Sequence, residues 1–345
     1  MSAAIPRRAP APPGRVRASG GVGGHVEAPH DYRSRRPTLL VYHTDRRYAE
    51  LVDVPKRGVD VRIAATPSEA AGAIADAEIL YAWKFPPQLY ARAGRLAWLQ
   101  VMGAGVDWAL VPELPPSVVI TRAPGVFGPW MAEYVIGWCS WVTQRVEEYR
   151  QAQRQRRWLD HVLPDRLAGK TMAIVGLGDI GRDIARVARG LGMRVLGVSR
   201  RGRPVREAAR MYKVGGMARA MAQADFVVLL LPLTTETRGI VGADQLGAMK
   251  PTAWLVNIAR GAVVNEAALL DVLEHRRIAG AVLDVFDNEP LPPHHPLWRM
   301  DNVVVTPHIS GPSTPDAIAP VFNDNLSRFL AGRPLRHVVD RRQGY

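Results

Sequence analysis

The sequence predicts an α/β protein built from two doubly wound parallel-sheet domains. Short apolar runs recur along the chain with helix-like stretches between them, the pattern of βαβ units. The runs form two series parted by a long helical stretch, and the second series opens on a glycine-rich turn. At 345 residues and 47% hydrophobic content the chain has material for two cores.

The first series opens at Thr38-Leu39-Leu40-Val41-Tyr42, a short apolar run that reads as a strand. Further strands are expected at 59–64, 78–81, 97–101 and 118–121, with a helix over 68–75 behind the turn at Thr66-Pro67. A helical stretch then runs from about Trp130 to Trp158 and breaks near Pro164. Trp130, Trp138, Trp141 and Trp158 give it more apolar surface than a small lobe can hide, so a partner subunit is expected to cover it. The second series places strands at 171–175, 194–198, 225–231, 253–257, 279–283 and 302–305. An amphipathic helix over 315–330 is expected to return to the first domain.

Composition narrows the function classes. The single cysteine, Cys139, excludes an intrachain disulfide and points to a reducing cytoplasm. The longest apolar runs, such as 226–231, are far too short to span a bilayer and read as buried strands, so no membrane partner is expected. Of the net charge of +13, five units belong to residues 1–37, where seven arginines face only Glu27 and Asp31. That segment is rich in Pro, Gly and Ala without periodicity and reads as a disordered basic tail. A nucleic-acid arm, a transit peptide and a silent extension compete for it. The lack of interleaved aromatics argues against nucleic acid, and Pro and Gly spoil the helix of a transit peptide. A solvated, silent tail is the expectation.

The glycine-rich turn is Gly176-Leu177-Gly178-Asp179-Ile180-Gly181, set between the strand at 171–175 and a helix over 179–191. In that setting Gly176 permits the tight turn, Gly178 lets backbone approach a pyrophosphate, and Gly181 lets helix and strand pack closely. The amides of Asp179 and Ile180 would meet the phosphates at the helix N-terminus. After the next strand, where NAD-binding proteins place a carboxylate for the ribose 2′-hydroxyl, the chain has Ser199, Arg200, Arg201 and, one further on, Arg203. A hydroxyl and guanidinium forks suit a 2′-phosphate, so NADP(H) is expected ahead of NAD(H). The alternative is a solvated surface cluster.

Three downstream segments carry the chemistry: Asn257-Ile258-Ala259-Arg260-Gly261, Asp284-Val285-Phe286-Asp287-Asn288-Glu289-Pro290 and Thr306-Pro307-His308-Ile309-Ser310-Gly311. A permanent cation, a carboxylate and an imidazole are what hydride transfer to a 2-keto acid needs. Each residue alone has a plain alternative as a surface ion pair, a solvated turn or a satisfied loop residue. Together they follow successive predicted strands. With the glycine turn and Leu231-Pro232-Leu233-Thr234-Thr235-Glu236-Thr237, they resemble the D-isomer-specific 2-hydroxyacid dehydrogenase family over residues 38–345.

The resemblance implies a flavodoxin-like substrate-binding domain (38–128 and 312–345) and a Rossmann NAD(P)-binding domain (129–311), with the active site in the cleft between them. The Trp-rich helices would be a dimerisation arm within the second domain. Arg260 would hold the substrate carboxylate and polarise its carbonyl, since a guanidinium keeps its proton. His308 would protonate the developing alkoxide, with Glu289 favouring the imidazolium. Asp284 would contact the nicotinamide carboxamide, Pro232 would line that side of the cleft, and Ile258, Ala259 and Gly311 would complete it. The loop Gly103-Ala104-Gly105-Val106-Asp107 resembles the family's substrate loop, although such glycines also suit an ordinary turn. Tyr81-Ala82-Trp83-Lys84 and the ending Asp340-Arg341-Arg342-Gln343-Gly344-Tyr345 are similar to glyoxylate/hydroxypyruvate reductases that prefer NADPH. There the Trp83 position lies near the substrate; a core tryptophan is the equal alternative.

A small 2-keto acid, glyoxylate or hydroxypyruvate, is the expected substrate and a homodimer the expected assembly. No metal is expected, because His294-His295 is an adjacent pair rather than a spaced ligand set. The sequence ends at Tyr345 without a further domain, which argues against a phosphoglycerate dehydrogenase, and Glu289 argues against the formate dehydrogenase branch. Larger 2-keto acids such as phenylpyruvate, and a non-catalytic nucleotide-sensing module of the same fold, stay open.

Overall fold

The computed structural model describes residues 36–54 and 58–345; the expected basic tail, Arg36 and Pro37 apart, lies outside the described residues. Strands β1 (Thr38–Tyr42), β2 (Asp60–Ala64), β3 (Ile79–Ala82), β4 (Trp98–Val101) and β5 (Val119–Thr121) form one parallel sheet in the order β2-β1-β3-β4-β5. This is the flavodoxin-like order, with its switch point between β1 and β3. Every residue of β3 and β4 is buried, as a parallel sheet covered on both faces requires. Between strands stand α1 (Arg47–Glu50) and α2 (Pro67–Ala73). Helix α2 begins where the Thr66 hydroxyl accepts the Glu69 N–H and Glu69 returns to the Ala65 N–H.

The helical stretch is two helices, α3 (Gly128–Thr143) and α4 (Val146–Arg154), rather than one run to Trp158. The chain turns at Arg145, whose φ is 53°, and the Thr143 carbonyl accepts the Asp165 N–H at 2.7 Å. A segment returning from further down the chain thus takes a carbonyl that a longer helix would have used. Trp158 falls outside the helix and is 90% exposed; Trp130 is 49% exposed. Trp138 and Trp141 meet edge to face at 5.8 Å.

The second sheet comprises β6 (Thr171–Val175), β7 (Arg194–Val198), β8 (Arg210–Tyr212), β9 (Phe226–Leu229), β10 (Trp254–Asn257), β11 (Gly280–Leu283) and β12 (Val303–Val305). All are parallel, in the order β12-β11-β10-β9-β6-β7-β8, the doubly wound nucleotide-binding arrangement with one extra strand. Helices α5 (Asp179–Gly190), α6 (Met217–Met221), α7 (Ala243–Gly247) and α8 (Glu266–Glu274) connect them. The three-residue edge strand β8 has no counterpart among the expected strands. It is half polar in pattern, with Arg210 exposed, and has little to distinguish it from loop.

Helix α9 (Pro315–Leu330) returns to the first sheet as expected. Phe322 is fully buried, stacked on Tyr81 at 4.1 Å and on Trp98 at 5.4 Å. Among the described residues no helix is long and apolar enough to cross a membrane.

Candidate active site

The glycine turn leaves β6 at the switch point of the second sheet, beside the chain leaving β9. Gly176 has φ +102°, and a Cβ there would lie 2.7 Å from the Leu230 carbonyl carbon, so only glycine fits. A Cβ on Gly181 would come within 2.9 Å of the Gly176 carbonyl oxygen, which accounts for the close approach of α5. Gly178 is the N-cap of α5 and supplies no capping side chain. A Cβ on it would meet nothing within 4 Å, and Asp179 and Ile180 open the helix, where first-turn amides have no intrahelical acceptor. Such a cradle fits a pyrophosphate, and with it a nicotinamide dinucleotide.

At the end of β7 the Ser199 hydroxyl accepts the Gly202 N–H at 3.2 Å and shapes the turn that carries Arg200 and Arg201. Both arginines are exposed. Across the switch point, the Pro232 carbonyl accepts the Thr237 hydroxyl at 2.6 Å, which fixes the loop after β9.

Strands β10, β11 and β12 lie side by side, and their C-terminal loops deliver the three chemical residues to one rim. In the first loop Asn257 holds the turn, donating to the Arg260 carbonyl at 3.2 Å and accepting the Ala259 N–H at 3.2 Å. Ile258 and Ala259 are buried beneath it. Gly261 lies so close to the Phe286 backbone of the neighbouring loop that any Cβ would collide with it. In the second and third loops His308 Nδ1 meets Glu289 Oε2 at 2.9 Å, and Glu289 Oε1 accepts the Phe286 N–H at 3.1 Å. Burial pushes the Glu289 carboxyl up, but these two hydrogen bonds and the charges of His308 and Lys84 outweigh it and hold it below its usual range. With Nδ1 engaged, Nε2 is the nitrogen left for a substrate.

Asp284 is fully buried, and its oxygens hold the His308 loop: Oδ1 accepts the Thr306 hydroxyl and the Ile309 N–H, and Oδ2 the Ser310 N–H, at 2.5–2.9 Å. These bonds fix the backbone that carries the imidazole. Thr306 has given its proton to Asp284, so the hydroxyl of Tyr134, 2.6 Å away on α3, must donate to Thr306. Burial, foremost, pushes that phenol up to about 12, so it keeps its proton. Gly311 closes the loop against Met131.

The first sheet supplies the opposite wall. Asp107 Oδ1 accepts from Arg260 Nε at 3.0 Å and Nη2 at 2.8 Å, while Nη1 donates to the Ala259 carbonyl at 2.8 Å. The guanidinium lies where any Cβ on Gly105 would stand, and the half-buried Trp83 ring lies where a Cβ on Gly103 would stand. Ala104 sits between those glycines. The expected substrate loop, Trp83 and Arg260 are therefore brought together. Sequence reasoning quoted Asp107 without giving it a partner, and it missed Tyr134, which no local motif marks.

Three comparisons bear on the site. Residues 137–310 match the family model for the D-isomer specific 2-hydroxyacid dehydrogenase NAD binding domain. The chain is 33% identical to glyoxylate/hydroxypyruvate reductase A of Serratia proteamaculans over 278 residues, 78% of this chain and 88% of that protein. It is 36% identical to a glyoxylate reductase of Korarchaeum cryptofilum over 262 residues, 74% and 79% of the two chains. Among solved structures it resembles the NADPH-dependent glyoxylate/hydroxypyruvate reductase of Sinorhizobium meliloti in complex with NADP and sulfate. That likeness has a TM-score of 0.82 at 31% identity and covers 90% of this chain and all of the other.

Proposed function

The chain belongs to the D-isomer-specific 2-hydroxyacid dehydrogenases, which are NAD(P)-dependent enzymes, and from that premise we propose that it reduces glyoxylate and hydroxypyruvate with NADPH. The observation that carries this reading is the meeting of Arg260 with the glycine loop and Asp107 of the opposite wall, beside the His308–Glu289 pair. The named relatives that act on glyoxylate and hydroxypyruvate favour small keto acids. The bound nicotinamide supplies the hydride. Arg260 and the loop amides hold the substrate carboxylate, and the guanidinium polarises the keto oxygen. His308 gives its Nε2 proton to the forming alkoxide while Glu289 keeps Nδ1 engaged. In the oxidation direction neutral His308 accepts that proton.

NADPH is favoured over NADH by Ser199, Arg200 and Arg201 where a carboxylate would stand in an NAD enzyme. The Sinorhizobium relative, whose structure holds NADP, supports the same preference. We further assign 38–128 with 312–345 to substrate binding and 129–311 to the cofactor. The exposed Trp130 on α3 and Trp158 just beyond α4 would be covered by a second copy, in a cytoplasmic homodimer.

The test is the rate of NADPH and, separately, NADH oxidation by the purified protein with glyoxylate, hydroxypyruvate, pyruvate and phenylpyruvate. Rapid NADPH loss with the two small keto acids is the expected result. Preference for phenylpyruvate would overturn the substrate assignment. Cofactor binding without turnover would mark a nucleotide-sensing module instead.

A further inference from the structure

The last stretch of the chain makes a connection that the reaction above does not use. Val338 forms an antiparallel bridge to Thr121, and the Val339 N–H donates to the Ile120 carbonyl at 2.9 Å. The segment is thereby fixed to β5, an edge strand of the first sheet. Arg341 adds bonds to the carbonyls of Pro115 and Val118 at 2.9 and 2.8 Å. From this root, residues 340–345 turn back on themselves: the Asp340 N–H donates to the Tyr345 carbonyl at 3.1 Å, and the Asp340 carboxylate accepts the Arg342 N–H at 2.9 Å.

The turn then crosses to the second sheet. Gly344, at φ +80°, packs on Thr234 in the loop after β9, where a Cβ would lie 2.9 Å from the Thr234 methyl. Beside it, Arg200 Nη2 donates to Gln343 Oε1 at 2.5 Å, and the guanidinium carbon stands 5.6 Å from the Tyr345 ring centroid. Glu236, in the same loop as Thr234, also feels Arg200: the Thr234 hydroxyl, its own N–H and the Arg200 charge hold its carboxyl below the usual range. The guanidinium is thus held at one edge by an amide and on one face by an aromatic ring.

We propose that residues 340–345 are a strap from the substrate-binding side that completes the cofactor's 2′-phosphate subsite, with Gln343 and Tyr345 pre-positioning Arg200. The inference rests on reading Arg200 as the phosphate ligand. An exposed arginine surrenders rotamer freedom when an anion fixes it, and here the strap has already removed that freedom. One of five guanidinium donors goes to Gln343, leaving four for phosphate oxygens. Because the strap is rooted on β5, a 2′-phosphate bound by Arg200 is held by both domains.

The test is the dissociation constants of NADPH and NADH, by nicotinamide fluorescence, for the full chain and its Arg200→Ala, Gln343→Ala, Tyr345→Ala and Tyr345→Phe variants. Gln343→Ala and Tyr345→Ala should each weaken NADPH by about 3- to 10-fold, the scale of one charge-assisted hydrogen bond or exposed cation–π contact, and leave NADH within about twofold. Tyr345→Phe should keep the NADPH affinity, and Gln343→Ala should add nothing in an Arg200→Ala background. If Arg200→Ala selectively weakens NADPH while the strap variants bind both cofactors normally, the strap proposal fails and the Arg200 assignment survives. If Arg200→Ala weakens both cofactors equally, the underlying cofactor reading fails and the strap falls with it. Tighter NADPH binding by Gln343→Ala would make Gln343 a competitor for Arg200 and overturn the proposal.

Discussion

His308 carries its imidazole on left-handed backbone, φ 55°, a conformation most side chains avoid. The surroundings enforce it: the His308 N–H donates to the Asp284 carbonyl at 2.8 Å, and the Asp284 carboxylate takes the next two N–H groups. Asparagine tolerates that backbone and lacks the titrating ring, so His308→Asn should fold as wild type. Its turnover should fall by about 10²–10⁴, the contribution of a general acid, in steady-state keto-acid reduction. Wild-type turnover in that variant would remove His308 from the mechanism. Glu289 adds a pH dependence of known sign. Its folded-state carboxyl lies below the unfolded value, so it stabilises the fold fully above about pH 4.3 and loses that effect as pH falls through the folded value. Thermal melts between neutral pH and pH 3 should therefore drop less steeply for Glu289→Gln than for wild type.

Among the elements, α9 joins the first sheet through Phe322, stacked on Tyr81 and Trp98, and Phe329, which also meets Trp98. Removing the Phe322 side chain from between Tyr81 and Trp98 should cost about 3–5 kcal/mol in urea unfolding, the range for aromatic-to-alanine changes in a closed core. The loops after β10 and β11 are coupled as tightly, because Gly261 meets the Phe286 backbone. Gly261→Ala should push Arg260 away from the Glu289 loop and raise KM for the keto acid at least about tenfold, since small misplacements at reacting groups are costly. An unchanged KM would show that the loops can part freely. Most of these elements are legible in the sequence, because buried parallel strands are unbroken apolar runs and α5 follows glycines with fixed duties. Edge strand β8 was not, having no buried run to mark it. The break at Arg145 was not either, since it depends on Asp165 taking a carbonyl of α3.

Across the whole molecule, His337 lies where the chain meets β5: its carbonyl accepts the Arg122 N–H at 3.1 Å. Burial first, then Arg122 and Arg336, hold its imidazole below the usual value, and burial does the same for His43. The folded state therefore disfavours protonation of both rings. Unfolded chain takes up protons first, so stability should decline as pH falls from about 7 through 6.5 toward 5. His337→Asn, which suits the local φ of 59°, should flatten that decline in thermal melts; an unchanged slope would assign it elsewhere.

The sequence by itself determined the fold class, the glycine turn and the order of the segments that hold Arg260, Glu289 and His308, because each rests on local requirements: a strand's run of apolar residues, a turn's φ, a loop's motif. Only the tertiary structure decided which groups meet. Arg260 pairs with Asp107 across 153 residues, Tyr134 reaches Thr306 across 172, and Arg200 reaches Gln343 across 143. At such separations no pattern in the chain records the contact. Each exists only once the sheets and helices have packed and brought distant segments together.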